Sequence, residues 1–237
     1  MNAPVVELRA ITKEYPGAVT TRVLTEVDLA VAPGEFVAVV GASGSGKTTL
    51  LNLVGLLDTP TSGQLWLAGR DVARLDETER ARLRRDDLGF IFQFHYLLPE
   101  FSVLENALMP CRIRGEAAED AARDRVRQLL QQVGLEDRLH YRPHQLSGGQ
   151  QQRAAIVRAL ANDPALVLAD EPTGNLDSKN GRAVFEMMRF LNQATGKAFL
   201  MVTHDEHFAA EADRVIHLVD GRVADTRPGT GEYPVKG

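Results

Sequence analysis

The chain has 237 residues, 44% hydrophobic and 25% charged, enough for one large α/β domain or two small ones with a real core. A net charge of −5 excludes generic nucleic-acid binding, which carries a basic excess, and a lone cysteine, Cys111, excludes an internal disulfide. No apolar run reaches the roughly 18–20 residues that span a bilayer, and Glu7, Arg9, Lys13 and Glu14 deny the opening segment the apolar centre of a signal peptide.

In chain order, Val5–Ile11 and Val23–Val31 alternate as strands joined by a Pro16-Gly17 turn. Pro33-Gly34 then introduces Phe36–Val40, a continuous apolar run suited to a strand buried on both faces. A glycine-rich loop follows, and Lys47–Leu57 has a helical pattern. Gln64–Leu67 and Leu88–Phe92 are further strands, flanking a charged helical stretch over Asp76–Arg85. There Arg80, Arg82, Arg84 and Arg85 are balanced by Asp86 and Asp87 and read as a solvated face.

Helices dominate the middle. Ser102-Val103-Leu104-Glu105 is a capping box, Ala117–Val133 is a helix ended by Gly134, and Ser147–Asn162 is a third, stopped by Asp163-Pro164. This run predicts a helical subdomain over residues 94–162, inserted in a single α/β domain. Strands resume at Ala165–Ala169 and Ala198–Thr203, separated by a helix over Lys179–Ala194. Val215–Val219 and Arg222–Ala224 form a closing hairpin around Asp220-Gly221, and glycine and proline from Arg227 onward predict a loose tail over residues 227–237.

Two glycine-rich grips carry the chemistry. Gly41-Ala42-Ser43-Gly44-Ser45-Gly46-Lys47-Thr48, followed by Thr49, lies between a buried strand and a helix. Its glycines let successive backbone N–H groups turn toward phosphate oxygens at a helix N-terminus. Lys47 is placed to reach the β- and γ-phosphates and the Thr48 hydroxyl to ligate Mg²⁺. Leu146-Ser147-Gly148-Gly149-Gln150 has no such lysine, only small residues opening a helix. Unable to hold ATP alone, it is most useful closing over ATP held by another copy, which predicts a homodimer.

The magnesium nucleotide site also needs a carboxylate at a strand end. Leu166–Ala169 delivers Asp170, suited to the metal, and Glu171, which alternation of strand faces leaves free to polarise water. The alternative is that these acids merely begin a loop. Thr203-His204-Asp205 ends the next strand in the same way, so His204 can hold the γ-phosphate, the water and Glu171 in register, or serve structure alone.

Together these residues resemble the ATP-binding cassette family of transporter ATPases over nearly the whole chain, with Leu146–Gln150 matching its signature letter for letter. The resemblance implies a P-loop NTPase (RecA-like) core with an antiparallel β-subdomain and an inserted α-helical subdomain. It implies that Ser147, Gly148, Gly149 and Gln150 act on ATP bound to the opposite subunit. It makes Gln93 the glutamine that senses metal and γ-phosphate, Gly174–Asp177 a loop crossing the dimer interface, and Asp177 a nucleotide contact. His204 becomes the switch histidine, and Tyr15 the aromatic that stacks on the base, with Phe36 or a plain turn role as competitors.

Within the family, Gly89–Ser102 looks like the lipoprotein-releasing ATPases of the LolD type, and Leu168–Asp177 is shared with the MacB and FtsE groups. Phe94, Leu97, Leu98 and Phe101 either pack into the domain or receive a helix from a membrane subunit, predicting a docking region over Gln93–Glu105. Gln151-Gln152 departs from the group, where a charge is common, and is read as affecting the helix surface rather than the chemistry. Catalysis is expected from Glu171, Gln93 and His204, with Thr48, Gln93 and Asp170 at the metal. The protein is expected on the cytoplasmic face of a bacterial inner membrane, touching it through partners and binding no nucleic acid. An exporter ATPase or a cell-division ATPase is the alternative.

Overall fold

The computed structural model describes residues 3–231. Its centre is a six-stranded sheet ordered β10-β9-β3-β8-β7-β6, built from β3 (Phe36–Val40), β6 (Leu88–Ile91), β7 (Leu166–Asp170), β8 (Ala198–Thr203), β9 (Arg214–Val219) and β10 (Arg222–Pro228). Every pairing in it is parallel except β9 with β10. Strand β3 shows why such strands read as unbroken apolar runs. Phe36, Ala38 and Val40 enter one core, while Val37 and Val39 enter the other. Strand β8 divides in the same way, Phe199 and Met201 against Leu200 and Val202.

The first core lies under α3 (Val103–Arg114), α4 (Glu116–Gln132), α5 (Gly148–Leu160) and α6 (Ser178–Thr195). The second is closed by α1 (Lys47–Val54) and by an antiparallel sheet ordered β2-β1-β4-β5. Its strands are β1 (Val6–Tyr15), β2 (Thr21–Val31), β4 (Ser62–Leu67) and β5 (Arg70–Asp71). Along the chain α2 (Glu77–Asp87) lies between β5 and β6, and a short α7 (Glu206–Ala210) follows β8.

Helices α2, α3 and α5 each begin with a reciprocal capping box, on Asp76, Ser102 and Ser147 respectively. The closing hairpin turns through Asp220 and Gly221, both at positive φ (46° and 72°), as a two-residue primed turn demands. The expected loose tail is a correction over its first residues. Arg227 and Pro228 extend β10, and the N–H groups of Gly229 and Gly231 donate to the carbonyls of Asp213 and Ala212. The carbonyl of Gly231 accepts from Arg189, a buried guanidinium over the Phe36 ring. Residues 232–237 lie outside the described part.

The parallel strands place their following loops at one edge. Val40 lies beside Thr203, and Asp170 beside Val202, so the glycine loop, the two acids and His204 leave the sheet together.

Candidate active site

The loop after β3 wraps a cavity of about 370 Å³ lined by Val23, Ser43, Gly44, Gly46, Lys47, Thr48, Thr49, Asp170, Glu171 and His204. Gly46 sits at φ 102°, and a Cβ there would meet the Leu24 side chain at 2.7 Å and the Val23 carbonyl at 3.0 Å. Gly41 lies behind the wall, where a Cβ would stand 2.2 Å from the Leu218 carbonyl. No side chain caps the start of α1, so its first N–H groups are open to an anion. Lys47 Nζ bridges the loop, donating to the carbonyls of Gly41 at 2.7 Å and Ala42 at 2.9 Å. The Ser45 hydroxyl is buried without a hydrogen-bond partner among the described residues.

Opposite the lysine stand the acids. Burial and the charge of Glu171 push the Asp170 carboxyl up, with Lys47 opposing them. Glu171 leaves the strand by a route alternation does not describe: its φ is 44°, left-handed backbone uncommon for a non-glycine residue. Its Oε2 accepts from Thr203 Oγ1 at 3.3 Å and the His204 N–H at 3.4 Å, and lies 3.0 Å from His204 Nδ1. Thr203, given no role of its own in the strand-end Thr203-His204-Asp205, is buried and also accepts from the Asp205 N–H. Oε1 of Glu171 makes no hydrogen bond among the described residues.

Several predicted residues lie outside this cavity lining. Gln93 pairs with Asn175, donating to its Oδ1 at 3.1 Å while its carbonyl accepts from Asn175 Nδ2 at 3.1 Å. Asp177 caps α6, accepting from the N–H groups of Lys179 and Asn180 and from Asn180 Nδ2 at 2.6 Å. Ser147 and Gly148 are exposed on another face, where Ser147 Oγ accepts from the Gln150 N–H and keeps its own proton to donate. Tyr15 is 39% exposed at the end of β1, with its phenol on Asp58.

One reading is overturned. Gln152, assigned to the helix surface, is fully buried. Its amide N donates to the carbonyls of Phe92 at 3.2 Å and Pro172 at 2.7 Å, and its Oε1 lies 2.7 Å from His95 Nδ1. It thus fastens α5 to the segment before Gln93 and to the loop after Glu171. Sequence periodicity held the signal, since Gln152 shares a helix face with Ile156 and Ala159, both buried.

Beside these segments opens an apolar groove of about 590 Å³, among whose walls are Leu57, Phe90, Phe92, Tyr96, Met109 and Ile113. Phe94 and Tyr96 are 58% and 65% exposed, whereas Leu97 packs against the core, so the aromatic stretch divides between surface and interior. Arg84 and Arg85, read as a solvated face, instead border the groove, and Arg84 donates to the Leu56 carbonyl.

The profile of the ABC transporter family matches residues 24–174. The chain is 54% identical over 227 residues to the lipoprotein-releasing system ATP-binding protein LolD of Anaeromyxobacter dehalogenans, covering 95% of each. It is 53% identical over 229 residues to the macrolide export ATP-binding/permease protein MacB 1/2 of Paracoccus denitrificans, covering 96% of this chain but 34% of that protein. Among solved structures, the ATP-binding cassette MJ0796, dimeric and bound to ADP and Pi after hydrolysis, superposes with a TM-score of 0.83 at 41% identity. That match covers 94% of this chain and 98% of the other.

Proposed function

The chain belongs to the ABC transporter family, and from that premise we propose that it is the ATPase subunit of a lipoprotein-releasing transporter and works as a homodimer. The observation that carries the reading is one cavity lined jointly by Lys47, Thr48, Asp170, Glu171 and His204. ATP enters with its phosphates on the glycine loop, and Lys47 exchanges the Gly41 and Ala42 carbonyls for phosphate oxygens. Glu171, held through one oxygen by Thr203 and His204, orients and deprotonates the attacking water with the other.

Thr48 and Asp170 present hard oxygen donors suited to Mg²⁺, and Gln93 adds an amide oxygen on leaving Asn175. No group of three or more Asp, Glu, His or Cys side chains placed to hold a metal ion occurs among the described residues; a magnesium ion there would keep waters and substrate phosphates as its other ligands. Held by Thr48, Asp170 and Gln93, the ion would supply positive charge beside the transferring phosphoryl group. Tyr15 supplies the stacking surface for the base. Ser147–Gln150 and Asp177 meet the nucleotide of the opposed copy, in keeping with their place outside this chain's own cavity lining.

The apolar groove receives a helix from a membrane subunit, so ATP-driven closure of two copies moves the partner that handles the lipoprotein. No helix among the described residues is long and apolar enough to cross a membrane, so attachment to the cytoplasmic face of the inner membrane runs through that groove. Depleting the chain in its host tests the substrate. Outer-membrane lipoproteins retained in the inner membrane are expected; normal lipoprotein sorting with failed septation, or with sensitivity to macrolides alone, assigns the chain to a cell-division or drug-export complex instead.

A further inference from the structure

At the rim of the nucleotide cavity Tyr15 belongs to a second polar cluster, whose other members, Lys13 and Asp58, have so far no role. Lys13 is buried on β1, and its ammonium donates to Asp58 Oδ1 at 2.6 Å and to the Thr59 carbonyl at 2.8 Å. The other oxygen of Asp58 accepts from Tyr15 Oη at 2.7 Å. The same ammonium stands 4.7 Å from the centre of the Tyr15 ring, covering one face. Asp58 thus spends one oxygen on a buried cation and the other on a phenol whose ring is 39% exposed.

The location links this cluster to the cavity. Thr49, which lines the cavity, touches the same phenol, and Val23, another lining residue, follows closely on the Thr21 partner of Tyr15 in β2. Burial opposes ionisation of Asp58, but hydrogen bonds from Lys13, Tyr15 and the Thr59 N–H outweigh it and hold the carboxyl below the usual carboxylate range. The hydrogen bond to Asp58, helped by burial and opposed by Thr49, raises the Tyr15 phenol. Both directions keep the pair as carboxylate acceptor and phenol donor at physiological pH.

We propose that Asp58, with Lys13 under one ring face, is a positioning residue that presents Tyr15 as a fixed platform for the nucleotide's base; this rests on the reading of Tyr15 as the stacking residue. Anchoring the phenol removes the freedom of a half-exposed ring before the base arrives. Ordering one side chain is worth roughly 0.5–1.5 kcal/mol, so releasing it should weaken binding about 2- to 10-fold.

The test compares two ligands on the full chain in a Glu171→Gln background: ATP, and inorganic tripolyphosphate, which has no base. Tyr15→Ala should weaken ATP roughly 10- to 100-fold, the usual worth of base stacking. Tyr15→Phe keeps the ring and loses the anchor; it and Asp58→Asn should each weaken ATP about 2- to 10-fold, leave tripolyphosphate unchanged, and fail to add when combined. If Asp58→Asn weakens both ligands equally, Asp58 supports the fold of the loop and the positioning role is lost. If ATP responds to Tyr15→Ala but to neither Tyr15→Phe nor Asp58→Asn, the platform needs no anchor and the inference fails while the stacking residue stands. If Tyr15→Ala leaves ATP affinity intact, the stacking reading itself falls.

Discussion

Glu171 occupies a backbone conformation that costs a non-glycine residue of order 1–3 kcal/mol, with its N–H held by the Val202 carbonyl at 3.0 Å and its carbonyl accepting from Gly174 at 3.0 Å. Those bonds over-determine the turn and leave the carboxylate on Thr203 and His204. Replacing it with Gln keeps the turn and removes the base. Glu171→Gln should therefore bind ATP with near-native affinity while steady-state hydrolysis falls about 10²–10⁴-fold; single-turnover phosphate release measures it, and native turnover would remove Glu171 from the role. The residue types here were legible in sequence because phosphate, metal and water each demand a specific donor. What was not legible is the positive φ of Glu171 and the buried hydroxyl of Thr203, since neither leaves a mark on residue type or spacing.

At the scale of elements, Gln152 shows how a polar residue can be structural on a face otherwise apolar. Gln152→Leu fits the volume but leaves the carbonyls of Phe92 and Pro172 and the ring of His95 without their partner. Each buried group so orphaned costs about 1–3 kcal/mol, so the urea midpoint should fall by the equivalent of at least about 2 kcal/mol. Turnover at saturating ATP should fall with it, because the two loops it ties flank Gln93 and Glu171; an unchanged midpoint would show the bonds to be dispensable. A different tie joins α3 to α4. Arg112 donates to both oxygens of the buried Glu119, at 2.7 and 3.0 Å, and Arg123 adds a third bond at 3.1 Å. The pair with Arg112, against the opposing effect of burial, holds the Glu119 carboxyl below its ordinary range. A depressed folded-state value means the stabilisation is present above the unfolded carboxylate pKa of about 4.3 and is lost as pH falls through the lower folded value. Glu119→Gln should thus be less stable than the parent at pH 7 and lose less on acidification below about pH 4, read from urea midpoints across that range. The periodic α4 was visible in sequence because periodicity reports burial, and β3 because a strand buried on both faces is an unbroken apolar run. The two-residue β5 and the five-residue α7 were not, since each spans barely one period of its own pattern and so shows no repeat.

At the scale of the molecule, the exposed Ser147 and Gly148 at the start of α5 take no part in lining the chain's own nucleotide cavity. Within the chain, Gly148 has room for a methyl group: a Cβ there would meet nothing closer than Leu176 Cδ2 at 3.7 Å and His95 Nε2 at 3.9 Å, ordinary contacts. Gly149 has less, since its Cβ would lie 3.2 Å from Asn180 Oδ1, so a change at Gly149 confounds the chain's own packing with any effect on a partner. Gly148→Ala separates the two. Replacing a helical glycine by alanine where the backbone accepts it stabilises by about 0.4–1 kcal/mol, and the nucleotide cavity of the same copy is untouched. The variant should therefore melt no lower than the parent and bind ATP equally well as a monomer. If Ser147–Gln150 closes over the partner's γ-phosphate, the added methyl stands between backbone N–H groups and that phosphate. Hydrolysis should then fall about 10²-fold, the usual loss when one preorganised donor is withdrawn from a developing charge, and the ATP-dependent dimer of a Glu171→Gln background should disappear from size-exclusion profiles. Retention of both hydrolysis and dimer would place the clamp elsewhere on the surface. Loss of both with stability preserved would mean that the chain keeps Gly148 for a second copy of itself, because the packing of its own fold leaves room for a methyl group there.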